Sequence, residues 1–130
     1  MKHFRAADVQ ATEVTGTSFT GGVWREHLVS AQEPNGLRLL RFTYAPGAHS
    51  HWHAHESGQA ILVEQGHALV QRRGAPGILL GPGDSLYVAP GEAHWHGAVR
   101  DQTMVHLAFN VSGETTWLEP VTADEYDRAS

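Results

Sequence analysis

Short runs rich in Val, Ile, Leu, Tyr and Trp recur along most of the chain, each closed by Gly, Pro, Asn or Asp, and helical periodicity is almost absent. That alternation points to β structure. An amphipathic helix needs apolar residues every three or four positions over several turns, whereas a strand needs about four to eight residues and a reversal. Strands are expected near 22–29, 37–44, 51–55, 59–64, 67–73, 77–80, 85–89, 93–97, 103–110 and 115–118. The turns between them include Glu33-Pro34-Asn35-Gly36, Ala45-Pro46-Gly47, Gln65-Gly66, Gly74-Ala75-Pro76-Gly77, Gly81-Pro82-Gly83-Asp84 and Ala89-Pro90-Gly91. Each supplies a fixed φ or tolerates a positive one. The pattern is that of an all-β sandwich or barrel. The exception is the tail, where Thr122 and Glu125 make a capping box for a short C-terminal helix reaching Ala129, expected to pack on the outside.

A chain of 130 residues buries enough surface for one core. We expect one barrel domain over 21–130, preceded by an N-terminal arm over 1–20, the least strand-like part. With 9 Lys+Arg against 14 Asp+Glu and a net charge of −5, nucleic acid and anionic membrane surfaces are poor partners, since both call for clustered cations. The N-terminus lacks the apolar run of a secretion signal, no stretch is apolar for the ~20 residues that span a bilayer, and a cytoplasmic protein is expected. In 37–44 and 104–110 both faces of the strand carry apolar side chains. One face can line the interior while a second sheet, a second subunit or the N-terminal arm covers the other, and a homodimer or homotetramer is expected.

The chain has no Cys, so a bound metal would rely on imidazole, carboxylate or amide oxygen. It has 10 His, concentrated in PGAHSHWHAHESGQ (46–59) and GDSLYVAPGEAHWHG (83–97). On an extended strand alternate side chains share a face, which puts His53 and His55 about 6–7 Å apart at the backbone and pointing the same way. Gln59 keeps that parity, and His94 would join from a distant strand. Three imidazoles and an amide carbonyl suit a divalent Mn, Fe, Co, Ni or Zn ion. The alternative for Gln59 is a hydrogen bond to a ligand while water completes the shell. His96 shares a face with His94, while His106 joins them only if its strand turns its even-numbered face inward. Either one could instead be a packed, hydrogen-bonded cavity residue.

The remaining features have simpler readings. His49 and His51 lie in the approach to the first histidine segment and are read as rim or solvent-facing. Trp52 and Trp95, opposite in parity to the ligands, are expected to pack between sheets or at a subunit contact. Arg72 and Arg73 read as a solvated turn. Gly81-Pro82-Gly83-Asp84 lacks the residues of a phosphate cradle, and no nucleophile elbow accompanies any Ser-His-Asp set.

These segments resemble the cupins. The first cupin motif, G-x5-H-x-H-x3-E-x6-G, is met by Gly47, His53, His55, Gln59 in the Glu place, and Gly66. The second, G-x5-P-x-G-x2-H-x3-N, is met by Gly83, Ala89 in the Pro place, Gly91, His94, and Ala98 in the Asn place. The resemblance covers roughly 37–110 and implies a double-stranded β-helix, or jelly-roll barrel, holding one metal. Within it, HWHAHESGQAILV, PGEAHWHG and the segment Met104 to Ala108 resemble the small bacterial manganese cupins that include (R)-selective hydroxynitrile lyases. That resemblance implies Mn on His53, His55, Gln59 and His94, catalytic roles for His96 and His106, and a substrate pocket with Leu40, Phe42 and Asn110. These three differ from the group's commoner residues: a small one, Val or Asp, and Gln.

Replacing the usual Glu by neutral Gln59 leaves a divalent ion without an anionic protein ligand and so makes it a stronger Lewis acid. An imidazole with a pKa of ~6.5 trades protons at neutral pH. The expected function is therefore a metal-dependent enzyme acting on a small oxygenated organic molecule, with cyanohydrin cleavage or synthesis as its most concrete form. An Fe(II) dioxygenase and a non-catalytic ligand-binding module are the alternatives.

Overall fold

A computed structural model describes residues 1–14 and 16–130. Two antiparallel sheets face one another. The first runs β1 (Thr12–Glu13), β3 (Val23–Val29), β4 (Leu37–Tyr44), β12 (Met104–Val111), β7 (Gln59–Gln65) and β10 (Ser85–Val88). The second runs β13 (Thr115–Trp117), β6 (His53–His55), β11 (His94–Ala98), β5 (His49–Ser50) and β2 (Phe19–Thr20), with β8 (Ala68–Arg72) paired to β11 and β9 (Ile78–Leu80) paired to β8. This is a jelly-roll barrel. Long crossovers between the sheets place residues far apart in sequence side by side.

Alternation fixes which side chains enter the barrel. On β12, Met104, His106, Ala108 and Asn110 are buried, while Val105, Leu107, Phe109 and Val111 face outward. The even-numbered face of that strand therefore points inward, the condition on which a cavity position for His106 depended. On the paired strand β4, Leu40 and Tyr44 are buried on the same side, and its register sets Phe42 opposite His106 and Arg38 opposite Asn110. Val23, Tyr44, Val63, Val70, Leu80 and Met104 close one end of the barrel as an apolar plug.

All four glycines of the two motifs adopt positive φ: Gly47 at 77°, Gly66 at 70°, Gly83 at 89° and Gly91 at 73°. At Gly66 the requirement is doubled, because a Cβ there would also run into the Thr103 carbonyl.

The tail forms the helix α1 (Ala123–Ala129), and both halves of the capping box are present at Thr122 and Glu125. It lies on the outer face of the second sheet, where Tyr126 joins Trp52, Leu69, Trp95 and Val121 in a second buried cluster. The Tyr126 hydroxyl donates to the Ala98 carbonyl at 2.7 Å, and the Trp52 indole donates to Glu125 at 2.8 Å. The two tryptophans thus pack between a sheet and a helix.

Three local readings differ from the sequence pattern. The run 51–55 is not one strand: the chain bends at His51 and Trp52, which bond outward to the carbonyls of Ser18 and Glu119, and then re-enters as β6. The bend reverses parity, so His49 is not on the rim. It is buried on the outer face of the second sheet, stacked on Tyr126 with centroids 4.9 Å apart. Arg73 is more than a solvated turn residue, since its guanidinium lies 4.7 Å over the Trp52 ring and pairs with Glu119. The arm over 1–20 contributes the two-residue strands β1 and β2 to opposite sheets.

Candidate metal centre

The two histidine-rich segments meet across one ladder. β6 and β11 are antiparallel neighbours with His53 directly opposite His94, and their rings are 4.3 Å apart between centroids. His55 lies further along β6, with its centroid 4.9 Å from His53 and 5.4 Å from His94. His96 lies further along β11, 5.2 Å from His53 and 5.6 Å from His94. One ring nitrogen from each of His53, His94 and His96 lies within 4.8 Å of the others, the tightest donor group among the described residues. Gln59, buried at the start of β7, reaches in from the facing sheet.

The far nitrogen of each ring is engaged. Nδ1 of His53 donates to the His51 carbonyl at 2.9 Å, Nδ1 of His94 to the Glu92 carbonyl at 2.8 Å, and Nδ1 of His106 to the Leu107 carbonyl at 3.1 Å. A carbonyl only accepts, so these neutral rings carry their proton on Nδ1 and present Nε2 as a lone pair. Nδ1 of His55 faces Thr115 Oγ1 at 3.3 Å, and Nδ1 of His96 faces the Tyr44 hydroxyl at 3.0 Å. Nε2 of His55, His94, His96 and His106, together with Oε1 of Gln59, are buried polar atoms without a hydrogen-bond partner. Leaving so many unpaired beside one another is costly unless something electrophilic satisfies them.

Burial keeps the rings neutral. It holds His53 and His96 well below the usual histidine range, with neighbouring His94 and His106 respectively adding to the effect. Burial also brings His55 and His106 down to about 4 and lowers His94. Neutral imidazole is the form a metal takes, and a buried donor set of nitrogens and an amide oxygen fits a divalent transition ion.

A cavity of about 240 Å³ opens beside this group. Leu40, Phe42 and Asn110 line it with His53, His55, Gln59 and His96. His94 and His106 sit just outside its wall. His106 is fully buried, its ring stacked at 5.4 Å on Phe42 and 5.5 Å on Tyr44, and 5.2 Å from His96.

Four further contributors carried no sequence signal. Tyr44 holds His96, and Ser50 Oγ accepts from the His96 amide at 3.2 Å. Arg25 and Arg38 also line the cavity. Period-two alternation would have turned both arginines inward once the face of β4 was known, but a charged residue on a strand is ordinarily read as facing solvent.

Two packed antiparallel sheets closed around buried imidazoles define a barrel of the double-stranded β-helix class with a candidate metal site in its interior. The chain belongs to the cupin domain family, which matches residues 40–110. Over 113 residues it is 38% identical to (R)-mandelonitrile lyase of Granulicella tundricola, spanning 85% of this chain and 86% of that protein. A cupin-like protein from Thermotoga maritima superposes with a TM-score of 0.85 at 34% identity, covering 92% of each chain. The polyketide cyclase RemF of Streptomyces resistomycificus shares the fold at TM-score 0.78 and 20% identity, over 98% of this chain and 91% of its own.

Proposed function

We propose that the chain is a metal-dependent enzyme that acts on a small oxygenated organic molecule, with cyanohydrin cleavage and its reversal as the most concrete reaction. The observation that carries this reading is the convergence of the buried, unpartnered Nε2 atoms of His55, His94, His96 and His106, whose Nδ1 sides are already engaged. The likeness to (R)-mandelonitrile lyase supports the choice of reaction. His53, His55, Gln59 and His94 would hold the ion, manganese in this proposal. Bound there without a carboxylate ligand, it would supply Lewis acidity toward a hydroxyl or carbonyl oxygen.

The chain's own residues handle the protons. His96 and His106 lie 5.2 Å apart between centroids, each with an unpartnered Nε2. One takes the hydroxyl proton of the cyanohydrin while the O–H electron pair becomes the carbonyl π bond and the C–CN bond breaks toward cyanide. The imidazolium so formed returns that proton to the departing cyanide, directly or by way of the other ring, so that aldehyde and hydrogen cyanide leave with both histidines neutral again. Stacking between Phe42 and Tyr44 fixes the plane of the His106 ring. Burial pushes the Tyr44 phenol up, which keeps it protonated as a fixed partner for Nδ1 of His96.

The test is cyanide and benzaldehyde release from (R)-mandelonitrile by manganese-loaded protein, against a His96→Ala/His106→Ala control. Release above that control is expected, and equal release ends the lyase reading. Elemental analysis of single variants checks the ligand set: His53→Ala, His55→Ala and His94→Ala should lose metal while His96→Ala keeps it. Retention in His55→Ala with loss in His96→Ala would move the ion to the His53, His94 and His96 group. Oxygen consumption by the Fe(II) form would instead favour a dioxygenase.

A further inference from the structure

The cavity wall carries two arginines and no acid. Among its lining residues Arg25 and Arg38 are the charged side chains, with His27 beside them at the mouth, and neither Asp nor Glu takes part. Apart from Arg5 in the arm, the other guanidinium groups are paired: Arg41 with Glu26 and Glu64, Arg72 with Glu92, Arg73 with Glu119, Arg100 with Asp127 and Arg128 with Asp124. Arg25 and Arg38 form no ion pair among the described residues, although the chain carries a net charge of −5 and has carboxylates to spare.

Their placement follows from register. Arg25 on β3 stands opposite Phe42, which stands opposite His106. Arg38 stands opposite Asn110, which stands opposite Gln59. Both arginines therefore sit on inward rows that end at residues of the proposed site. Arg38 Nε donates to Asn110 Oδ1 at 2.9 Å, which holds the guanidinium in place and leaves its Nη groups uncommitted. Nε of Arg25 is buried with no hydrogen-bond partner at all. The two cations also feel each other: Arg38 is shifted down by burial and then by Arg25, and His27 by burial and then by both arginines. Mutual repulsion of this kind within a partly dry wall, unrelieved by any acid, destabilises the chain unless an anionic guest relieves it.

We propose that Arg25 and Arg38 form a carboxylate-recognition wall, so that the substrate is a small organic acid whose reacting hydroxyl or carbonyl oxygen faces the histidines while its carboxylate is held by the two guanidinium groups. This inference rests on the reading of the histidine group as the reacting centre. A guanidinium offers paired N–H donors matched to a carboxylate. The cavity, about 240 Å³, is below the ~300–1,000 Å³ of pockets that take drug-sized ligands. Neutral cyanohydrins would then be surrogates that use the histidines and leave the arginines idle.

Calorimetric titration with mandelate and lactate, each against its neutral amide, tests this in both metal-free and manganese-loaded protein. At least one acid should bind more tightly than its amide. Arg25→Gln and Arg38→Gln should each weaken the acid by about tenfold or more and leave the amide unchanged, with metal content and melting temperature as controls for folding. If either variant melts without cooperativity, the wild-type metal-free protein decides, since acid affinity should fall with added salt while amide affinity should not. Acid and amide binding alike, neither acid binding, or an acid preference untouched by the substitutions would overturn the wall and leave the metal reading intact. An arginine-dependent preference in protein that takes up no metal would support the wall and sink the metal reading.

Discussion

A buried imidazole that has lost its charge makes folding sensitive to acid in a defined window. Burial holds His55 and His106 at about 4 in the folded chain, against ~6.5 when unfolded, so the unfolded chain takes up protons first as the pH falls. The stabilisation from these groups is complete above pH ~6.5 and disappears progressively down to about 4. The urea midpoint of metal-free protein should therefore be level near pH 7.5 and fall steeply from pH ~6.5 to about 4, and a midpoint indifferent to pH over that span would show these rings to be solvated. Of the residues gathered at the site, His53, His55, Gln59 and His94 stand out by motif spacing and His96 by strand parity, while His106 depended on which face of β12 turns inward. Tyr44, Ser50, Arg25 and Arg38 were not legible in the sequence, since their contributions arise from which way β3 and β4 turn and from hydrogen bonds across the barrel.

At the scale of elements, local signals succeeded wherever the structure is decided locally. The strands at 37–44, 59–64 and 103–110 show as short apolar and aromatic runs between turn residues, and α1 shows in its capping box. Replacing Thr122 by Ala removes the acceptor for the Glu125 amide and should cost about 1 kcal/mol by urea denaturation. A loss well above that would mean that the helix governs the docking of Trp52 as well. Local signals failed at β1 and β2, two residues each and too short for any period, and at the bend in 51–55. That bend is set by bonds from His51 to Ser18 and from Trp52 to Glu119, partners that no window along the sequence contains. The reversal of parity there puts His49 on the outer face of the sheet beneath Tyr126, which its place in the approach to the first motif did not reveal.

At the scale of the whole molecule, among the described residues, one end of the first sheet's outer face is an apolar strip without cover, bordered by the Arg41, Glu26 and Glu64 ion pairs. On the outer side of the first sheet Leu37 is 66% exposed, Phe109 39% and Val111 37%, beside the half-buried Leu39 and Leu107. We propose that a second copy of the chain packs there, related by a two-fold axis. Sedimentation at micromolar concentration should give twice the chain mass, reduced to the single mass by Leu37→Glu/Phe109→Glu; a wild-type monomer would refute the pairing. The bend at His51 and Trp52 has its own consequence at this scale. It sends His49 and Trp52 to one side of a single sheet and His53 to the other, so the seat of the tail and the floor of the histidine-lined cavity are opposite surfaces of the same few residues. A loosened tail would tilt that floor, which couples the upkeep of the molecule's exterior to the aim of its innermost rings.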